Sequence, residues 1–254
     1  MLDALLLNFV VSANHGLLNA ALSAAEAPKT LRAAFTVSLE SADATHIYSF
    51  DPRRPEGERW QRGAQTGRDA ALDEVAANWR GNIAPDSWLF PDDLRSSLSN
   101  TETAEALGPA WRIRYDHQLS ANDDSALDEW AAQSLSATAW IDPISERFLR
   151  IDHELEDPVR GPSGGRLTRF QQTYLLETDP IYGVSYVAAF AVDLSAKAGF
   201  RNFERRYEAQ VLDVTFFFSS PAAEWAFLKN KSGNGAEDPT EERRIAPSPL
   251  QDTR

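Results

Sequence analysis

The stretch Ser185–Leu194, SYVAAFAVDL, decides how the rest of this chain is read. Tyr186, Ala188, Phe190, Val192 and Leu194 occupy every second position, which puts all five on one face of a β-strand. A helix would scatter them around its axis at about 100° per residue. The spacing therefore predicts a strand with one unbroken apolar side.

The same rhythm runs outward in both directions. Phe35, Val37 and Leu39 alternate with Thr36 and Ser38, and His46, Tyr48 and Phe50 line one side of a second strand beyond a turn at Ser41–Thr45. In WRIRYD, Trp111, Ile113 and Tyr115 face one way while Arg112, Arg114 and Asp116 face the other. Ala137–Asp142 leads through the turn Pro143–Ser145 into RFLRIDHEL, where Leu149, Ile151 and Leu155 share a face with His153. RLTRFQQTYLL from Arg166 and NFERRYEAQVLDVTFFF from Asn202 complete the set. Short connections between successive strands make antiparallel neighbours the expectation.

Helical periodicity is confined to a few segments. Arg68–Arg80 places Leu72, Val75, Ala76 and Trp79 on one stripe, and Asp124–Leu135 does the same with Leu127, Trp130, Ala131 and Leu135. The two segments share a near-repeat, ALDEVAANW from Ala71 and ALDEWAAQS from Ala126. Both copies put acids in the first turn, where they complement the helix dipole, and their flanks differ, so the echo is a shared helix rule and not a duplication. A short turn is expected after Phe90-Pro91, and Ser220-Pro221 supplies the cap and first residue of a last helix. The fold class that results is mainly β (α+β): a single curved antiparallel sheet or half-open barrel with a few helices packed on its concave side.

Three parts follow. Residues 1–27 read as a signal peptide or an N-terminal amphipathic helix, with Leu17, Leu18, Ala21 and Leu22 as its stripe and small residues suited to cleavage after Ala25 or Ala27. Residues 28–229 form one β-rich domain, and residues 230–254 are too poor in apolar side chains to fold. The apolar run near the N-terminus is too short and interrupted to span a bilayer. Export to the periplasm or exterior is the expectation, with a cytoplasmic location as the alternative.

The 254 residues carry a formal charge of −13 and no cysteine. An acidic body repels phosphate backbones and anionic membrane surfaces, which argues against both nucleic acid and an anionic membrane surface as partners. Absence of cysteine removes disulfides, thiolate metal sites and a thiol nucleophile.

Motifs with chemistry are scarce. Gly161-Pro162-Ser163-Gly164-Gly165 matches the nucleophile-elbow pattern, but a strand and not a helix follows it. Asp152, Glu154 and Glu156 would share a strand face opposite His153, which reads as a wetted acidic side. Arg205-Arg206 with Tyr207 reads as a charged surface strand. His153 falls among apolar neighbours, where a satisfied core histidine is the common outcome and a general base the rarer one. No catalytic set, metal site or cofactor site emerges. What is unusual is aromatic mass: seven Trp, thirteen Phe and six Tyr. A sheet with few helices leaves some of these rings to line an apolar space.

An N-terminal helix, then FTVSL, then antiparallel strands with helices inserted among them resembles the periplasmic lipoprotein-carrier fold of the Lol type. The hairpin WIDPISERFLRIDHEL is similar to that family's Asp-Pro turn with a returning strand, and the likeness spans Leu31–Phe218 in order of elements. It implies the fold and a periplasmic setting; no residue here answers to that family's functional arginine. The reading that follows is an exported, soluble protein that binds or carries a lipid or other apolar molecule, with Trp111, Tyr115, Tyr186, Phe190 and His153 lining the space. The alternatives are a small-molecule enzyme using His153 or His117 beside a carboxylate, and a non-catalytic envelope protein that meets a partner through its strand edges or tail.

Overall fold

A computed structural model describes residues 17–81, 89–91, 98–107, 110–117, 134–161, 165–198 and 200–231. Eleven strands form one antiparallel sheet. They are β1 (Leu31–Glu40), β2 (Ala44–Phe50), β3 (Trp60–Gly67), β4 (Leu98–Leu107), β5 (Ala110–His117), β6 (Leu135–Asp142), β7 (Arg147–Leu155), β8 (Val159–Arg160), β9 (Arg166–Thr178), β10 (Ser185–Ala198) and β11 (Arg201–Phe218). Their order across the sheet is β3-β2-β1-β11-β10-β9-β7-β6-β5-β4, with β8 on β9. The sheet is open, and the mainly β class read from the alternation is the observed one. Among the described residues only the β1–β11 contact joins strands far apart in sequence, and it sets the first three strands beside the last.

Helices cover the sheet in patches. The first, α1, takes in residues 17–25, and its Leu18, Ala21 and Ala25 are buried against Ala137, Ala139, Ile141, Phe148, Ile151 and Leu176. Arg147 fastens its C-terminal end, donating from one guanidinium nitrogen to the Ala24 carbonyl at 3.5 Å and to Ser185 Oγ at 3.2 Å. A cation at a helix C-terminus meets the unpaired carbonyls there.

The second, α2 (Ala70–Gly81), buries Leu72, Val75 and Ala76 over β1 and β2. Asp69 caps it, accepting from the Ala71 amide at 2.8 Å. The last, α3 (Pro221–Lys231), starts where the Ser-Pro pair requires, with the Ala223 amide donating to Ser220 Oγ at 3.2 Å. It is held to the β9–β10 turn by Tyr182, whose hydroxyl donates to Glu224 at 2.6 Å, and by Lys231, which donates to the Tyr182 carbonyl at 2.6 Å. The turn itself needs Gly183, whose φ of 65° disfavours any side chain.

Two one-residue slips interrupt the strand pairing, and the second corrects a sequence expectation. Between Val187 and Ala189 the register shifts against β9, so Tyr186 pairs with Glu177 while Phe190 pairs with Tyr174. The bulge takes up the slip, and Tyr186, Ala188 and Phe190 remain in one cluster with Phe216. A second shift, between Trp140 and Ile141, makes Phe148 the buried residue of β7 and leaves Leu149 44% exposed. A further correction concerns Leu135, expected at the end of a helix from Asp124: it opens β6. The remainder of that segment, including the second half of the echo, lies outside the described residues, as does the chain beyond Lys231.

Candidate functional site

Four rings cross the sheet in one row. His153 on β7 pairs with Gln172 on β9, and its ring meets Tyr174 edge-on at 6.0 Å. Tyr174 meets Phe190 at 6.1 Å, and Phe190 meets Tyr207 at 5.9 Å in a T-shaped contact. These spacings lie within the attractive range for aromatic pairs. Tyr174 packs against the α1-covered cluster, whereas Phe190 and Tyr207 pack against the α2-covered one. The row therefore spans the seam between the two.

Its burial differs along its length. His153 is buried, but Tyr174, Phe190 and Tyr207 are each only partly covered. Val192 is buried beside them and Leu194 and Phe170 are half-buried. Polar atoms are few: the two tyrosine hydroxyls, the His153 imidazole and the Gln172 amide. Burial pushes the Tyr207 hydroxyl above its usual range, outweighing the nearby Arg205 charge, so it stays a neutral donor across the physiological range. An apolar surface with a few orienting polar groups is the ordinary make-up of a site for an apolar ligand.

Of the expected lining residues, the row unites His153 and Phe190. Tyr186 shares the α2-covered cluster with Phe190 but meets Phe216, centroids 5.3 Å apart, and is not part of the row. Its hydroxyl donates to Glu177 at 2.9 Å, and burial followed by that bond pushes its pKa up to about 12. Trp111 pairs with Ile141 and Tyr115 with Ala137 along β5 and β6; their side chains lie outside the described residues.

Tyr174 and Tyr207 were missed. Gln172 interrupts the apolar alternation of RLTRFQQTYLL, and Tyr207 sits in a charged sequence, ERRYE, that reads as a solvated surface. Arg205 is not idle there: it donates to Glu74 of α2 at 2.7 Å, fastening that helix beside Tyr207.

The acid–base reading finds little. Asp152 and Glu154 point away from His153, and Asp152 accepts from Trp140 Nε1 at 3.1 Å, Thr173 Oγ1 at 2.7 Å and Arg150 Nε at 2.8 Å. It is a hub that ties β6, β7 and β9, and not the freely wetted acid expected. Among the described residues His46, 2% exposed, has Nδ1 3.8 Å from Asp73 Oδ1. Asp69 stands near it, its carboxyl held low by the Ser41 hydroxyl, then by the Ala71 and Leu72 amides and the His46 charge, against an opposing push from burial. This group pins the start of α2 to the β2 edge of the sheet. His117 has its side chain outside the described residues.

Ser163 also lies outside them, and the glycine loop is framed by strands, with the Gly161 amide donating to the Gly165 carbonyl at 2.9 Å. Among the described residues no group of three His, Asp or Glu side chains comes together to hold a metal ion. On the opposite face, Gln171, Thr173, Asp193, Arg206 and Glu208 rim a polar hollow of about 160 Å³. Ligand pockets usually hold roughly 300–1,000 Å³, so this hollow is too small for a lipid. No described helix is long and apolar enough to cross a membrane.

No protein-family model matches the chain, and no curated protein does. Among solved structures, a LolA superfamily protein from Nitrosomonas europaea is similar at 11% identity, covering 85% of this chain and 98% of that one, with a TM-score of 0.37. A protein described as GphF dehydratase 1 is similar at 13% identity over 77% of this chain and 81% of that one, with a TM-score of 0.16. Both are loose likenesses of outline, and the functional reading rests on this chain's own residues.

Proposed function

We propose that this protein is exported and binds a lipid or other apolar molecule along the seam between α1 and α2, over Tyr174, Phe190 and Tyr207. The observation that carries the reading is the row itself. Aromatic rings in a closed core are covered; these three continue the core's spacing yet remain partly open to solvent on the helix-bearing side of the sheet. His153 forms the buried end of the row and Tyr207 offers a neutral hydroxyl to a polar head.

Export fits the small residues ahead of Pro28. Cleavage after Ala25 or Ala27 would strip α1 from the sheet and uncover Ala137, Ala139 and Ile141, whereas a cut upstream of Leu17 would leave it in place. N-terminal sequencing of the native protein distinguishes these outcomes.

Binding is tested by native mass spectrometry of gently purified protein and by uptake of a fluorescent fatty acid. An adduct of apolar mass, displaced by the probe and lost in Phe190→Asp, supports the reading. A clean apo mass with no probe uptake sinks it.

A further inference from the structure

The strands β9, β10 and β11 run on past the rest of the sheet. Glu40, the last residue of β1, pairs with Glu208, so among the described residues positions 201–207 of β11 have only β10 as a strand neighbour, with α2 reached through Arg205 and Tyr207. Seven residues of strand extend about 20 Å. This arm, edged on its other side by β8, ends in the loop after Arg160 and in the turn at Phe200.

The end of the arm has a composition unlike that of the molecule as a whole. Arg160 pairs with Arg166, and Arg166 pairs with Lys197, so three cations stand side by side in one cross-strand row. Arg201 follows at the tip. Like charges directly opposite one another destabilise a sheet, and none of these four has an ion pair among the described residues. Arg169, further in, already has Asp193 at 2.8 Å. The arm's own acids nearest the tip are Glu156 and Asp157 before β8 and Glu204 on β11, too few to balance it. At the same end, Phe200 is fully exposed and Phe203, on the face opposite the cation row, is 50% exposed.

We propose that this end of the arm docks on an anionic lipid bilayer, with Phe200 and Phe203 entering the headgroup layer and Arg160, Arg166, Lys197 and Arg201 meeting the phosphates. Cations flanking exposed apolar side chains are the pattern of interfacial membrane binding. The molecule's −13 charge, taken as a whole, argues against an anionic surface, but this end of the arm is set apart from most of it. Screening cuts off charge effects beyond about 8 Å at physiological salt, and an arm meeting a plane end-on holds the acidic body farther away than that. A long nucleic acid or acidic polysaccharide would instead have to lie along that body. The proposal is independent of the ligand reading, since none of these residues belongs to the aromatic row.

The test uses the full chain and vesicles of phosphatidylcholine alone or enriched in phosphatidylglycerol. Co-sedimentation is expected with the anionic vesicles only, and added salt should reverse it. Arg166→Gln with Lys197→Gln should weaken binding by roughly 25-fold, about fivefold for each cation removed. An unchanged circular dichroism spectrum confirms that the double variant is folded; should it not fold, Arg160→Gln with Arg201→Gln takes its place. Because the chain has no cysteine, Phe200→Cys creates a unique site for an environment-sensitive dye. A blue shift on anionic vesicles supports insertion. No vesicle binding at low salt, undiminished binding by the charge variants, or tight heparin binding with the dye unmoved on vesicles would each overturn the proposal.

Discussion

Two sets of rings on this sheet are built alike and covered differently. Over β1–β3, Phe35, Phe50 and Trp60 meet at 5.1–5.8 Å, Phe35 and Phe50 each only 3% exposed, in the cluster that α2 covers. Over β7–β11, Tyr174, Phe190 and Tyr207 meet at about the same spacing but stay partly open at the edge of that cover. Alternation in the sequence is equally clear in both places. It reports that a strand exists and which side is apolar; it does not report whether a helix arrives to close that side. Cover turns one set into a core and leaves the other available.

The comparison can be broken by paired substitutions. Phe35→Ala should cost about 3–5 kcal/mol, the usual range for emptying a buried aromatic site, and lower the melting temperature sharply. Phe190→Ala should cost about 1–2 kcal/mol, since only part of the ring leaves a packed environment, while abolishing probe uptake. Equal losses of stability in thermal melts would make the row ordinary core. A smaller effect separates the helix from the sheet beneath it. Asp69→Ala removes the cap of α2 and should cost about 1 kcal/mol, with Asp69→Asn recovering most of it.

That cap also has a pH signature. The Asp69 carboxyl is held below its ordinary range, so its contribution is present above the unfolded value near 3.8 and is lost as pH falls through the lower folded value. Acid melts of the wild type and Asp69→Asn should therefore converge. The smallest effect lies at the other extreme. Tyr182 and Tyr186 have folded-state values pushed up to about 12, Tyr182 first by its bond to Glu224 and Tyr186 first by burial. Their contribution is complete below pH 10 and declines as pH rises from 10 towards 12. Tyr186→Phe should lessen that alkaline loss in melts across the window; an unchanged slope would mean that the hydroxyl is not buried as described.

Much of the architecture was legible. The faces of β1 and β2 alternate as read, α2 and α3 begin within two residues of where their stripes and caps place them, and the Asp142-Pro143 turn joins β6 to β7. The third strand, WQRGAQTG, was not legible, because it is exposed along most of its length and carries no apolar rhythm. Half of the candidate row was missed for a related reason. Tyr174 and Tyr207 are set among glutamines and charges whose side chains point to the other face or to the edge of the site.

Local periodicity is written into neighbouring residues by the geometry of the backbone, so the strands, their greasy sides and the helix caps follow from the sequence alone. Three things were decided only by the assembled sheet. A one-residue bulge moved Leu149 out of its expected face, and such a slip depends on a partner strand that no local pattern names. Pairing of β1 with β11 set the limit beyond which the arm projects. Cross-strand register then gathered Arg160, Arg166 and Lys197, scattered through nearly forty residues, into one positive row at the end of an acidic molecule. Net charge is a sum over the chain, whereas what a surface binds depends on which charges lie within a screening length of one another.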